Sequence, residues 1–142
     1  MSRFGVEDLL ELNRLGSCAV APHGSYGIFE VTRHSIEENR ASTALHRLDL
    51  STGTTVPMDL DGKSNKSPVF SPDGQFLYFL SNRHDSTQIW SLDLASGDEV
   101  KLSDERDAIA GFHPTPDGTA LLFIRIETPA DEAPSHHSSN TL

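Results

Sequence analysis

Apolar residues in this chain fall in short runs separated by polar turns, and the runs recur. Phe76-Leu77-Tyr78-Phe79-Leu80 and Leu121-Leu122-Phe123-Ile124 are almost continuously apolar, each shortly after a Ser/Thr-Pro-Asp-Gly turn at 71–74 or 115–118. Runs of this length, rich in aromatic and branched residues, suit strands buried on both faces. The turn chemistry agrees: Ser opens a type I turn, Pro presets φ at the second position and Gly closes the fourth. A polar hairpin loop, Ser81–Thr87, follows the first run. Next comes Gln88–Leu94, whose alternation puts Trp90, Leu92 and Leu94 on one face. A Ser-Gly turn at 96–97 leads to a short strand ending near Leu102, and the strand around Pro68-Val69-Phe70 reads as the last of its unit.

The spacing is that of a repeat, the first thing to look for in any sequence. Pro72 to Pro116, Asp73 to Asp117 and Gly74 to Gly118 are each 44 positions apart. Leu48-Asp49-Leu50-Ser51-Thr52-Gly53 matches Leu92-Asp93-Leu94-Ala95-Ser96-Gly97 at the same offset of 44, with Val56 on Val100 and Met58 on Leu102. An earlier, degraded copy begins at Ala21-Pro22-His23-Gly24, before the run Tyr26–Val31. Its offset is 50, and the extra residues fall in His34–Arg40, which reads as a longer hairpin loop. About four short antiparallel strands per period is the size of one propeller blade, and such sheets bury their faces only by stacking. The fold expected is all-β, an incomplete β-propeller of about two to three four-stranded blades. A closed ring needs at least about four.

The ends differ. Val6–Leu15 has apolar residues at roughly helical spacing with acids in its first turn, which predicts a short N-terminal helix. From Glu127 to Leu142 the chain is polar and reads as a disordered tail or a truncated loop. The expected organisation is therefore a lead-in over 1–16, a partial propeller over 17–126 and a polar tail over 127–142.

Composition narrows the partners. The 142 residues carry 21 acids against 11 Lys and Arg, a formal charge of −10, which repels phosphate backbones and argues against nucleic acid. The lone Cys18 excludes an intramolecular disulfide and reads as a small buried side chain. No apolar run reaches membrane-spanning length and the first residues lack a secretion signal, so a soluble, cytoplasmic protein without a membrane partner is expected.

The Ser/Thr-Pro-Asp-Gly repeats, the aromatic strand and Ser81-Asn82-Arg83 resemble TolB-like propeller repeats. Val6–Leu15 followed by Ala19-Val20-Ala21-Pro22-His23-Gly24 resembles the opening of prolyl oligopeptidase family serine peptidases, in the acylaminoacyl-peptidase and dipeptidyl-peptidase-like branch. The resemblance covers roughly residues 6 to 126. It implies an N-terminal propeller that restricts access to a C-terminal α/β-hydrolase domain. His23 stands where the motif has Asp, and Phe112-His113-Pro114-Thr115 departs from the usual aromatic-Ser-Pro spacing. No Gly-x-Ser-x-Gly nucleophile elbow occurs, so the family's catalytic Ser, Asp and His have no positions here.

Several local patterns suggest chemistry, and the repeat explains most of them better. His23-Gly24-Ser25 places a base beside a hydroxyl, but at a turn position, and triads are built from separate segments. Asp59-Leu60-Asp61-Gly62 begins like a calcium loop, yet Lys63 takes the next ligand position. His136-His137 lacks partners at metal-ligand spacing. Asp73 and Asp117 serve their turns, and Arg83 sits where a side chain braces a neighbouring strand. Asn65-Lys66-Ser67 fits a glycosylation pattern but is followed by Pro68. No catalytic, cofactor-binding or metal-ligating residue is assigned, and no cofactor is expected.

Three functions remain. The chain is the gating propeller of a serine peptidase, whose other blades and hydrolase domain are its partners and whose substrate is a peptide. Alternatively it is a TolB-like protein-binding module without enzymatic activity. The third reading is a degenerate remnant that self-associates through open sheets.

Overall fold

The computed structural model describes residues 13–84, 86–127 and 140–141. Among the described residues eleven strands form three antiparallel sheets, each a meander in chain order. The first sheet holds β1 (Arg14–Val20), β2 (Tyr26–Ser35), β3 (Arg40–Asp49) and β4 (Thr55–Pro57). The second holds β5 (Asn65–Phe70), β6 (Phe76–Ser81), β7 (Gln88–Asp93) and β8 (Glu99–Lys101). The third holds β9 (Ile109–Pro114), β10 (Ala120–Arg125) and β11 (Asn140–Thr141).

The expected repeat exists as a hydrogen-bond pattern. In the three successive turns the N–H of Ala21, Ser71 and Thr115 donates to the carbonyl of Tyr26, Phe76 and Ala120, each at 2.9 Å. Gly24, Gly74 and Gly118 close these turns at φ of 74°, 73° and 71°, a left-handed conformation that glycine adopts without a Cβ penalty. The outer turns match too: Gly53 N–H donates to Asp49 O and Gly97 N–H to Asp93 O, both at 2.8 Å.

The structure corrects three readings. The strand 65–70 opens its sheet rather than closing the preceding unit: a tight turn pairs the strands on either side of it, and β5 pairs with β6. The extra residues of the first repeat lengthen its strands rather than its loop: the β2–β3 ladder runs on to Ser35↔Arg40 and leaves 36–39 as the turn, whereas β6–β7 ends at Ser81↔Gln88. The N-terminal helix is not supported, because Arg14 and Leu15 already lie in β1, paired with Thr32 and Val31. The rest of that segment lies outside the described residues. The third sheet gains β11, which pairs with β10 as β7 pairs with β6.

Alternation along each strand gives every sheet two working faces. Tyr26, Ile28 and Leu45 of the first sheet pack with Phe70, Leu77, Phe79 and Leu92 of the second. Leu80 and Ile89, on the second sheet's other side, pack with Ile109 and Leu121 of the third. At roughly 25 cal/mol per Å² of apolar surface, these two seams are the main source of cohesion. The face turned toward the following sheet is called forward, the other backward. Among the described residues no helix is long and apolar enough to cross a membrane.

Candidate functional site

Most of the polar residues flagged in the sequence serve the scaffold. Ser71 Oγ donates to Asp73 Oδ1 at 2.6 Å and accepts from Phe76 N–H at 3.0 Å, while Gln75 N–H also donates to Asp73. Asp117 repeats this with Thr115 and Thr119. Hydrogen bonds to the ionised carboxylate favour it, so the Ser71 hydroxyl and then Gln75 N–H lower the pKa of Asp73. The Thr115 hydroxyl, followed by Thr119, brings Asp117 down to about 2. In the outer turn, the Ser51 hydroxyl and the Ser51 and Thr52 N–H groups lower Asp49 likewise.

Arg83 is the brace its position suggested. Its guanidinium bonds Glu99 of β8 at 2.6 Å and Ser81 Oγ at 2.9 Å, and lies 4.2 Å from the centroid of Trp90. Asn82 accepts N–H bonds from Lys63 and Ser64, which fixes the Asp59–Lys63 stretch as a turn, with Gly62 at φ 99°. Asn65 is buried in β5 and donates to Asp61 O, so its side chain is unavailable to a sugar. His23 Nδ1 and Ser25 Oγ lie 2.8 Å apart within one exposed turn, and His23 packs on Tyr26. That pair has neither a carboxylate orienting the His nor an oxyanion donor in its contacts. His136 and His137 lie outside the described residues. Among the described residues no group of three or more His, Cys, Asp or Glu is placed to hold a metal.

Cys18 is exposed, contrary to the buried reading. It pairs with Phe29 on the backward face of the first sheet, on which none of the described sheets packs. His46 lies against Phe29 on that face, ring centroids 5.7 Å apart. Burial, then the charge of Arg33, lowers its pKa, which keeps the imidazole neutral at pH 7.

Sequence reasoning missed two groups. Gln88 is buried and bonds Ser86, Ser103, Glu105 and Asp107, tying β7 to the connection toward β9. Glu30 accepts N–H bonds from Ser17 of β1 at 3.2 Å and Ser67 of β5 at 2.5 Å, and so staples two sheets. Neither sits in a repeated motif, so no spacing pointed to them. An open cleft of about 640 Å³ lies where the 82–87 hairpin loop meets the 102–108 connection. Lys63, His84, Arg106 and Asp107 line it, a mixed-charge rim with no concerted acid, base and nucleophile.

Stacked antiparallel meanders with one turn chemistry define the class: the fold is that of a stretch of β-propeller. More particularly, it resembles the N-terminal propeller portion of prolyl oligopeptidase family peptidases. The chain is 28% identical over 120 residues to dipeptidyl-peptidase 5 of Porphyromonas gingivalis, covering 84% of this chain and 17% of that protein. It is 27% identical over 103 residues to the uncharacterized peptidase YuxL of Bacillus subtilis, covering 72% of this chain and 16% of that one. The chain thus spans about a sixth of each relative's length.

Among solved structures, acylaminoacyl peptidase of Pyrococcus horikoshii matches with a TM-score of 0.70 and 18% identity over 92% of this chain and 20% of that one. TolB of Acinetobacter baumannii matches with a TM-score of 0.67 and 21% identity over 81% of this chain and 27% of that one. The β-propeller domain of the trilobed protease from Pyrococcus furiosus matches with a TM-score of 0.60 and 18% identity over 78% and 33%. No family model matches the chain.

Proposed function

We propose that this chain is the N-terminal part of the propeller of a prolyl oligopeptidase-type serine peptidase. In this reading it forms a segment of the wall that admits peptides to a hydrolase domain lying outside these residues. The carrying observation is that the repeats align over most of their length with two proteins named as peptidases. The described polar side chains support a steric role, since Asp73 and Asp117 hold turns, Arg83 braces the second sheet and Gln88 ties it to the connection toward β9. Location in the cytoplasm belongs to the same proposal.

The test is to read the coding sequence beyond the Leu142 codon. Further Ser-Pro-Asp-Gly repeats followed by a Gly-x-Ser-x-Gly elbow, with Asp and His after it, are expected. An immediate stop codon would sink the gating role. The second reading, a TolB-like protein-binding module, is favoured by the likeness to TolB, nearly as good as that to the peptidase. Repeats that continue without a hydrolase domain would select it.

A further inference from the structure

The open cleft between the 82–87 loop and the 102–108 connection is lined by groups whose backbones are held and whose polar ends are not used. Asn82 Oδ1 accepts the N–H groups of Lys63 at 3.1 Å and Ser64 at 2.8 Å. Those two bonds fix the orientation of the amide and leave Nδ2 as a donor. Along the connection, Gln88 bonds Glu105 O and N–H and Asp107 O, so the backbone on either side of Arg106 is pinned. His84 keeps a φ of 79°, a conformation that non-glycine residues hold only where their surroundings enforce it, with its ring 6.0 Å from that of Trp90.

The charges in this cleft are arranged differently from those elsewhere. Arg83, Lys101 and Arg125 each reach a carboxylate within 3.0 Å. The side chains of Lys63, His84 and Arg106 make no hydrogen bond or ion pair among the described residues, although acids outnumber Lys and Arg by 21 to 11. Of the charged groups described in the lining, Lys63 and Arg106 stand against Asp107, a surplus of one positive charge. Asp85, in the same loop, lies outside the described residues. One excess cation matches a monoanion, and a guanidinium fork beside an amide N–H suits the two oxygens of a carboxylate. The second charge of a phosphate would face Asp107 and a chain of net charge −10. At about 640 Å³ the cleft has the volume of a small-ligand site, and its open side lets a chain enter and leave. We propose that this cleft binds a carboxylate of an extended peptide, either its C-terminal group or an acidic side chain, with Arg106, Lys63 and Asn82 Nδ2 as the donors. The site is independent of the peptidase reading, since a gating wall and a protein-binding module would use it alike.

The test is a titration of the ¹⁵N-labelled 142-residue chain, followed through its amide signals, with three probes. These are N-acetyl-Gly-Glu-Gly amide, its Gln analogue, and N-acetyl-Gly-Gly-Gly with a free carboxylate. Saturable shifts are expected at the amides of Lys63, His84, Arg106 and Asp107 with one or both carboxylate probes, and binding at least roughly tenfold weaker with the Gln analogue. A response to the Glu peptide alone assigns an acidic side chain as the ligand, and a response to the free carboxylate alone assigns the C-terminus. Arg106→Gln and Lys63→Gln, both at exposed positions, should each weaken binding roughly threefold to fivefold, the worth of one exposed charge pair. Asn82→Asp keeps an acceptor for the Lys63 and Ser64 N–H groups and replaces the donor with a carboxylate oxygen. It should abolish binding while the rest of the amide spectrum stays in place. Shifts that never saturate, or that saturate equally with the Gln analogue, overturn the proposal. So do Arg106→Gln and Asn82→Asp chains that bind as the wild type does.

Discussion

Replacing Gln88 by Ala is the sharpest probe of how the second and third sheets are held together. The side chain is 3% exposed and takes part in five hydrogen bonds. Nε2 donates to Ser86 Oγ at 2.8 Å, to Glu105 O at 2.9 Å and weakly to Asp107 O at 3.4 Å. Oε1 accepts from Ser103 Oγ at 2.7 Å and from Glu105 N–H at 3.0 Å. At about 1 kcal/mol net per bond the ceiling is about 5 kcal/mol. Water admitted at the half-buried 105–107 segment recovers part of that, which leaves a loss of about 3 kcal/mol. With a urea slope of about 1–3 kcal/mol per molar, the unfolding midpoint should fall by about 1–3 M. Amide exchange of Ile109, whose N–H bonds Thr87 O at 2.9 Å, should quicken before that of β2 and β3. Gln88→Glu separates donor from acceptor, because an ionised carboxylate cannot donate to the two carbonyls. Its penalty should shrink as pH falls and the new acid regains a proton. A loss below about 1 kcal/mol for the Ala variant would refute the view that this hub secures the seam.

Three further outcomes follow from the same geometry. Arg83→Ala breaks a mostly buried ion pair and uncovers Trp90, so unfolding should cost about 3 kcal/mol less, read by urea titration of Trp fluorescence, with Arg83→Lys rescuing only part. Gly74→Ala should destabilise by about 1–2 kcal/mol, and by more than Gly53→Ala: both glycines have positive φ, but an added Cβ meets Pro22 at 3.2 Å only at Gly74. Equal losses in calorimetry would remove Pro22 from the account. The lowered Asp49, Asp73 and Asp117 contribute stability that is complete above the ordinary carboxylate pKa. It is lost as pH falls toward their folded values, about 2 for Asp117. Thermal midpoints should therefore drop below about pH 4, and Asp117→Asn should flatten part of that decline.

How much of this was legible depended on whether a residue belonged to the repeat. Ser71, Asp73, Gly74 and their counterparts announced their turns, because a tight turn is specified within four residues. The alternation of Trp90 and Leu92 announced their face. Strand pairing was harder. Asn65–Phe70 looked like the end of a unit because periodicity fixes spacing but not where one sheet stops. Cys18 looked buried because its neighbours are small and apolar, and only the open backward face makes it exposed. Gln88 gave no signal: its counterpart one period earlier is Ala44, so its network exists in one seam alone.

Glu30 shows why such departures matter to the assembly. Its counterparts Leu80 and Ile124 are apolar, so the first seam places a carboxylate where the others place a branched side chain. A half-buried charge of this kind is tolerable only where donors await it. The bulged segments of β1 and β5 supply them, since both ladders shift register beside Ser17 and Ser67, and Ser67 turns to φ 56°. A slip of the first sheet against the second would leave the carboxylate without those N–H groups, at a cost of about 1–3 kcal/mol. The second seam has no such key and holds its register through Gln88 instead. Purely apolar faces supply cohesion without register, so polar groups such as Glu30 and Gln88 set the register of the two covered seams. Glu30→Leu should therefore keep the first two sheets associated yet loosen their register.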